Sequence, residues 1–140
     1  DEVQSRVNSK IINILEETSK FVLKDNPKKV GLMATDGTIK SGAYHKFIGN
    51  DLLFVPDDVY QAKVMNIIYN KVKKNKEVSL AEFEDILDYF RENGCKKIIL
   101  GCTELSVIYS YLKVNYSDVV DSLTVLARKA VELSGKSLKE

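Results

Sequence analysis

Short apolar runs alternate with longer segments of helical periodicity along this chain, and this alternation restricts the folds that it can adopt. Runs typical of buried strands occupy residues 29–33, 51–55, 98–100 and 119–120. Between them, apolar side chains recur at helical spacing. Strands that alternate with helices form parallel sheets that helices cover on both faces. The sequence therefore predicts an α/β fold with a parallel sheet of about four strands.

Length and charge limit the classes of protein to consider. The 140 residues suffice for one domain with a core, so 1–140 are expected to form a single lobe. A hydrophobic fraction of 44% and a charged fraction of 29% are typical of globular proteins. The net charge of +1 offers no electrostatic basis for binding nucleic acid or an anionic membrane. The sequence has no apolar run long enough to span a membrane and no signal-peptide pattern, so a cytoplasmic location is expected.

The first part of the chain is predicted from local patterns. Residues 1–7 are predicted to be helical, because Val3 and Val7 lie four apart. The apolar residues 11–15 are predicted to form a short strand. A helix with Phe21 and Val22 inward is predicted to follow it over 16–24.

Helix signals are clearer in the later segments. An apolar stripe predicts one long helix that begins after a cap at Asp57 or Asp58 and runs to about residue 74. Ser79 and Glu82 have the spacing of a capping box and predict another helix start. The segment 121–133 is predicted to be an amphipathic helix. Its inward side chains are predicted to be Leu123, Leu126, Ala127, Ala130 and Val131.

Cys102 is the first candidate for a reactive residue. It follows the strand at 98–100 and Gly101, where the chain can turn tightly, so its thiol is expected at the carboxyl end of that strand. If a helix begins near residues 104–106, its free N–H groups and positive dipole end favour the thiolate. A nucleophile or a proton-transferring base needs that state. The alternative is a small buried hydrophobic residue, the commoner role of a lone cysteine.

The second cysteine is not expected to pair with the first. Cys95 and Cys102 flank one predicted strand. Five strand residues span roughly 16 Å, whereas a disulfide tolerates a Cα separation of about 7 Å. Because the chain has a single histidine, His45, and no Cys-x-x-Cys motif, no metal site is predicted.

A polar loop after the strand at 29–33 is the second candidate site. It opens a predicted helix that continues through Tyr44. Such a loop presents N–H groups and hydroxyls at the carboxyl end of a strand, where open α/β sheets bind ligands. The alternative is an ordinary capped turn, with a threonine or the aspartate as N-cap. The candidate ligand-binding residues are Thr35, Asp36, Gly37 and Thr38.

Two motifs together carry a family resemblance. The first motif is Gly101-Cys102-Thr103-Glu104, and the second is Ala-Thr-Asp-Gly-Thr-Ile-Lys-Ser-Gly-Ala-Tyr at 34–44. Both resemble the second half of aspartate racemases in the aspartate/glutamate racemase superfamily. The similarity continues, in the family's order, through Gln61, Ile68-Tyr69-x-x-Val72-Lys73 and Asp121-Ser122. It implies a Rossmann/flavodoxin-like three-layer sandwich that forms one lobe of a two-lobed racemase. Glutamate racemases carry histidine at the position of Glu104, which points to the aspartate branch.

The resemblance also implies a chemistry that needs no cofactor, neither pyridoxal phosphate nor metal. Two cysteines on opposite faces of the substrate's Cα would transfer the proton, and Cys102 would be one of them. Lys73, which by sequence alone is a solvated lysine, would hold the side-chain carboxylate of aspartate or glutamate. Thr103 and the loop 35–38 would bind the α-carboxylate, while Glu104 would orient the thiol or the α-ammonium group.

The expected partner is a second lobe. In the family, a Cys-Asn-Thr motif precedes a helix like 1–7, so the chain is expected to start just past the other catalytic cysteine and to be inactive alone. The segment 121–138 is expected to pack on this N-terminal lobe, and the full-length protein is expected to be a homodimer. Hydantoin racemase, maleate isomerase and decarboxylase relatives stay open as alternatives, as does a non-catalytic small-molecule-binding α/β module.

Overall fold

The structure, a computed structural model, describes residues 2–138. Within these residues, four strands form one sheet in which every neighbouring pair is parallel. Their order across the sheet is β2, β1, β3, β4, and the prediction of a parallel sheet of about four strands is confirmed. The strands are β1 (Val30–Met33), β2 (Leu53–Phe54), β3 (Lys97–Leu100) and β4 (Val119–Asp121).

Helices cover both faces of this sheet. They are α1 (Ile14–Leu23), α2 (Asp36–Lys40), α3 (His45–Ile48), α4 (Asp58–Met65), α5 (Leu80–Glu92), α6 (Thr103–Tyr111) and α7 (Ser122–Leu133). Successive strand residues point to opposite faces. Ile98 accordingly packs in one core with Phe90 of α5, while Ile99 packs in the other core with Val125 of α7. The predicted three-layer α/β sandwich is confirmed.

Side-chain caps fix where several helices begin. Ser79 Oγ accepts the N–H of Glu82 at 3.2 Å, and Glu82 Oε2 accepts the N–H of Ser79 at 3.0 Å. The predicted capping box is therefore confirmed. Asp57, one of the two predicted caps, accepts the N–H of Tyr60 at 2.9 Å and begins α4. Such a cap contributes about 1 kcal/mol to stability.

The strand predicted at 11–15 is wrong. Asn13 Oδ1 accepts the N–H groups of Leu15 at 3.0 Å and Glu16 at 3.5 Å, so α1 begins at Ile14. A local N-cap thus outweighs the β propensity of the branched side chains. Phe21, predicted to face inward, is exposed on α1.

The predicted helix over 1–7 is a short 3₁₀ turn at Gln4–Arg6, and residue 1 lies outside the described residues. Val3 and Val7, the two residues on which that prediction rests, are both exposed. A turn without a buried face gains no packing energy, which is what stabilises most helices in proteins.

The inward face predicted for α7 is also wrong. The buried residues of this helix are Ser122 and Val125. Leu123 is 41% exposed, and Ala127 and Ala130 are exposed as well. Leu126 and Val131, which were on the predicted face, are partly buried. The buried side of the helix is thus displaced from the predicted one, and Leu123, Ala127 and Ala130 lie at the surface.

The segment predicted as one helix from residue 56 to residue 74 is not uniform. After α4 it continues as a π-helical turn over Asn66–Lys71 and a 3₁₀ turn over Val72–Lys74. It ends at Asn75, which has a left-handed backbone with φ of 53°. A π-helix has more residues per turn than an α-helix. Lys73 therefore points in a different direction from the one that α-helical periodicity predicts.

Candidate active site

The two predicted loops meet at the carboxyl edge of the sheet. Because β1 and β3 are adjacent and in register, Met33 pairs with Leu100. The N–H of Gly101 then donates to the carbonyl oxygen of Met33 at 2.9 Å. This pairing brings the segment 101–104 beside the segment 34–38. The structure thus places Cys102 and the polar loop on neighbouring strand ends.

Gly101 is needed here for packing. A Cβ atom at this position would lie 3.0 Å from Leu32 Cδ1, 3.1 Å from Ala34 Cβ and 3.3 Å from Tyr44 Cε2. Its backbone is not in the left-handed region, so the chain turns between β3 and α6 without a conformation that requires glycine. The absence of a side chain lets the chain before Cys102 pass close to β1.

Cys102 is the N-cap residue of α6 and is partly buried. Burial raises the pKa of its thiol to about 11. The backbone N–H groups of Leu105 and Glu104 act in the opposite direction, while the Glu104 carboxylate raises the pKa further. The helix terminus therefore does favour the thiolate, as the sequence predicts. Desolvation outweighs it, so Cys102 is held as a thiol.

Cys95 lies at the other end of β3. It is buried, with 4% of its surface exposed, and both cysteines are free. Burial raises the pKa of Cys95 to about 11 as well. Because the strand separates them, Cys95 cannot approach a ligand bound at Cys102.

The loop after β1 is held together by its own side chains. Thr35 caps α2, since Thr35 Oγ1 accepts the N–H of Thr38 at 3.3 Å and lies 3.1 Å from Thr38 Oγ1. The capped-turn alternative thus describes the local structure. The helix predicted to run through Tyr44 stops at Lys40, and Gly42, with φ of +65°, turns the chain before α3. Gly37 is exposed, and a Cβ there would contact only Thr35 Oγ1, at 3.9 Å.

Gln61 fastens this loop to α4. Its Nε2 atom donates to the carbonyl oxygen of Ala34 at 3.1 Å and to Asp36 Oδ1 at 2.7 Å. An open cleft of about 820 Å³ adjoins the loop, and Gln61, Asp36 and Tyr69 are among the residues that line it. Cys102 does not line this cleft. The cleft therefore adjoins the loop without including the thiol.

Lys73 and Glu104 form an ion pair beside Cys102. Lys73 Nζ lies 3.5 Å from Glu104 Oε1 and 4.1 Å from the centre of the Tyr69 ring. Thr103 Oγ1 donates to Glu104 Oε2 at 3.2 Å. The pKa of Glu104 is lowered by its own backbone N–H, by Thr103 and by Lys73, so its carboxylate is ionised.

Asp121 and Ser106 connect the first turn of α6, which Cys102 begins, to the start of α7. Ser106, on the first turn of α6, bonds to Asp121 Oδ1, which also accepts the N–H of Leu123 at 3.1 Å. Ser122 Oγ donates to the buried carbonyl oxygen of Leu100 at 2.7 Å. The sequence resemblance includes Asp121 and Ser122 without a role. In the sequence, only the position after a predicted strand indicates that Asp121 and Ser122 lie near the site, and no sequence signal indicates Ser106.

This arrangement defines a class of protein. At the carboxyl edge of its parallel sheet, this three-layer α/β fold brings together a thiol, threonine hydroxyls and a lysine–glutamate pair. Open α/β sheets bind small ligands at this edge. Residues 1–130 match the Asp/Glu/Hydantoin racemase family, and the chain belongs to this family.

Solved structures have the same fold. The aspartate racemase of Picrophilus torridus is 28% identical, with a TM-score of 0.74 over 94% of this chain. An aspartate racemase homologue from Pyrococcus horikoshii OT3 is 27% identical, with a TM-score of 0.76 over 97% of it. The chain spans only 56% and 61% of the lengths of these two structures.

A sequence relative is closer to this chain in length. An uncharacterized protein in the pnlA 3′ region of Pectobacterium carotovorum is 29% identical over 135 residues, which cover 94% of this chain and 90% of that protein. Among the helices of residues 2–138, none has the length and apolar character needed to span a bilayer.

Proposed function

We propose that this chain is one lobe of a cofactor-independent amino-acid racemase of the aspartate type. The observation that carries the proposal is the position of Cys102, the N-cap of α6, directly beside the Lys73–Glu104 pair. Membership in the Asp/Glu/Hydantoin racemase family supports it. So does the 28% identity to an aspartate racemase. The substrate would be an acidic amino acid, aspartate or glutamate.

The proposed reaction exchanges the proton on Cα between two faces. A thiolate on one face removes the Cα proton, and a thiol on the other face donates its proton to the carbanion. The configuration inverts, and the two sulfur atoms exchange their protonation states. Cys102 is held as a thiol by burial, which suits the donating step. The return reaction requires it as a thiolate, near a substrate ammonium group that would favour that form.

The other site residues would hold the substrate during this exchange. Lys73 would bind the side-chain carboxylate through a charge-assisted hydrogen bond. Thr103 and the loop of Thr35, Asp36, Gly37 and Thr38 would bind the α-carboxylate. Negative charge grows on this carboxylate as the proton leaves, so fixed donors there stabilise the transition state more than the ground state. Glu104 would orient the thiol or bind the α-ammonium group.

A second cysteine must come from outside this lobe, because Cys95 is buried at the opposite end of β3. We propose that an N-terminal lobe supplies it and that the chain alone is inactive. The greater length of the two solved relatives supports this proposal. The exposed stripe of Leu123, Ala127 and Ala130 on α7 is a suitable surface for that lobe. We further propose a cytoplasmic homodimer for the complete protein.

The test is proton exchange at Cα in the two-lobed protein. With L-aspartate in D₂O, the product D-aspartate should carry deuterium at Cα, as followed by NMR and chiral chromatography. Cys102→Ala should abolish inversion, and any exchange that the other cysteine still supports should be limited to one enantiomer and proceed with retention, whereas Cys95→Ala should keep both inversion and exchange. Racemisation by the isolated lobe, or by the Cys102→Ala protein, would contradict the proposal.

A non-catalytic ligand-binding module is the second candidate. The raised pKa of Cys102 favours it, because a protonated thiol is unreactive. The loop of Thr35 and Thr38 favours it as well, because its hydroxyls bond to each other rather than to a free site. Aspartate would then bind to the two-lobed protein without deuterium incorporation. Lys73, as a partner for a substrate carboxylate, argues against the hydantoin racemase alternative, although the family includes hydantoin racemases. Maleate is itself a dicarboxylate, so deuterium exchange at Cα of aspartate is the observation that separates an amino-acid racemase from a maleate isomerase.

A further inference from the structure

Glu104 occupies the place at which a ligand carboxylate would meet Lys73. The two charged atoms, Lys73 Nζ and Glu104 Oε1, are 3.5 Å apart. The Lys73 side chain is 43% exposed and that of Glu104 is 24% exposed. The ammonium group also lies over the Tyr69 ring, 4.1 Å from its centre. Lys73 is thus held between an aromatic face and a carboxylate, with its remaining side open to solvent.

The pair is looser than a direct ionic hydrogen bond. Ammonium and carboxylate groups in strong contact are about 2.7 to 2.9 Å apart, whereas this separation is 3.5 Å. Glu104 is retained by the hydroxyl of Thr103 at 3.2 Å, and Lys73 by Tyr69. Each partner keeps another contact when the pair separates. A ligand carboxylate can therefore approach Lys73 without disturbing the fold.

We propose that Glu104 is an internal counter-ion that a substrate carboxylate displaces from Lys73, and that it then becomes the counter-ion of the substrate's ammonium group. The inference rests on the proposed function and adds a basis for its specificity. Binding exchanges one ion pair for two, Lys73 with the carboxylate and Glu104 with the ammonium group. A dicarboxylate without an ammonium group displaces Glu104 and leaves its charge uncompensated beside Cys102. Glu104 therefore selects amino acids over plain dicarboxylates.

The nearby charges agree with this exchange. Asp36 is already bonded to Gln61, and Asp121 to Ser106 and to the N–H of Leu123. Gln61 engages only Oδ1 of Asp36, whereas both oxygens of Asp121 are engaged, since Thr124 Oγ1 donates to its Oδ2 at 2.6 Å. Once Lys73 is engaged elsewhere, Glu104 keeps the Thr103 hydroxyl and its own backbone N–H and loses its cationic partner. Its lowered pKa keeps it charged for that purpose.

The experiment compares L-aspartate with succinate, which has the same two carboxylates and no ammonium group. In the two-lobed protein, each ligand is titrated while iodoacetamide alkylates Cys102, and peptide mass spectrometry gives the concentration for half-protection. Wild type should be protected by aspartate at a concentration roughly fivefold or more below that of succinate, the scale of one partly exposed ion pair. In Glu104→Gln the succinate value should fall and the two ligands should become nearly equal.

Two controls separate charge from structure. Lys73→Met should weaken protection by both ligands together. Glu92→Gln removes the same charge from the distant end of α5 and should keep the wild-type ratio. Thermal melting checks that each variant is folded, and an exposed ion pair contributes little to stability.

The experiment distinguishes failure of the counter-ion exchange from failure of the proposed function. Protection by aspartate in wild type with an unchanged ratio in Glu104→Gln would overturn the counter-ion exchange and leave the proposed function standing. Protection by neither ligand in wild type would overturn the acidic-substrate function and this inference with it. A Glu104→Gln protein that favours aspartate more strongly than wild type would also overturn the exchange.

Discussion

Gln61 on α4 donates a 2.7 Å hydrogen bond to Asp36, the residue that begins α2. A second bond, at 3.1 Å, joins the same Nε2 atom to the carbonyl oxygen of Ala34. One side chain therefore fixes the loop at the end of β1 to the helix beside it. The loop keeps its shape through a contact 25 residues away in sequence rather than through its own turn alone.

Gln61→Ala should loosen this loop. It leaves the Ala34 carbonyl oxygen and the Asp36 carboxylate without their donor, which costs about 1 to 2 kcal/mol of unfolding free energy in a urea titration. In the two-lobed enzyme the KM for aspartate should rise, because the loop is proposed to bind the α-carboxylate. Asn70→Ala is the control, since the Asn70 amide bonds only to exposed groups of its own segment. Equal effects of the two substitutions would contradict the role of Gln61.

Two glycines at the site should respond in opposite ways to alanine. Gly101→Ala places a methyl group 3.0 Å from Leu32 and 3.1 Å from Ala34, and should destabilise the fold by about 1 to 3 kcal/mol. Gly37→Ala has open space in a helical turn and should stabilise it by about 0.5 to 1 kcal/mol. Urea unfolding measures both. A raised KM in a stabilised Gly37→Ala enzyme would place the substrate close to Gly37, and an unchanged KM would remove Gly37 from the site.

Most of the fold follows from local signals in the sequence. The strands β1 and β3 and the capping box of Ser79 are correctly predicted, because a short apolar run and a cap are read from a few neighbouring residues. The strand predicted at 11–15 is wrong for the same reason: Ile11 and Ile12 favour a strand, but within residues 2–138 no strand pairs with them, and Asn13 starts a helix. On α7, sequence periodicity predicts an inward face that includes Leu123, whereas the fold buries Ser122 and Val125, because the side that faces the core depends on contacts with the rest of the chain.

The location of the candidate site residues can be predicted from the sequence, whereas their contacts cannot. Cys102 and the loop 35–38 follow strands, so their place at the carboxyl edge could be inferred, whereas their adjacency depends on the strand order. The direction of Lys73 depends on a π-helical turn that periodicity does not reveal. The protonation of Cys102 depends on burial by residues distant in sequence, while the helix terminus that opposes it is local.

Asp121 should position α6 in addition to capping α7. Asp121→Ala removes the cap at Leu123 and the bond to Ser106, and should cost about 1 to 2 kcal/mol in urea unfolding. Asp57→Ala is the matched control, because it removes a comparable cap from α4 without a link to α6. Both proteins should lose similar stability, and only Asp121→Ala should change the alkylation rate of Cys102. An equal rate in the two variants would limit Asp121 to capping.

Cys102 of the isolated lobe should alkylate slowly at neutral pH and faster as the pH rises. Burial raises its pKa from 9.0 to about 11, and the thiolate is the reactive form, so the iodoacetamide rate should rise about tenfold per pH unit up to about pH 11. Glu104→Gln removes a charge that raises this pKa and should speed the reaction at pH 8 several-fold, while Glu92→Gln should not. Peptide mass spectrometry separates Cys102 from Cys95. A rate that levels off near pH 8 would mean that the terminus of α6 outweighs burial, and that this lobe alone already holds the thiolate that proton removal requires.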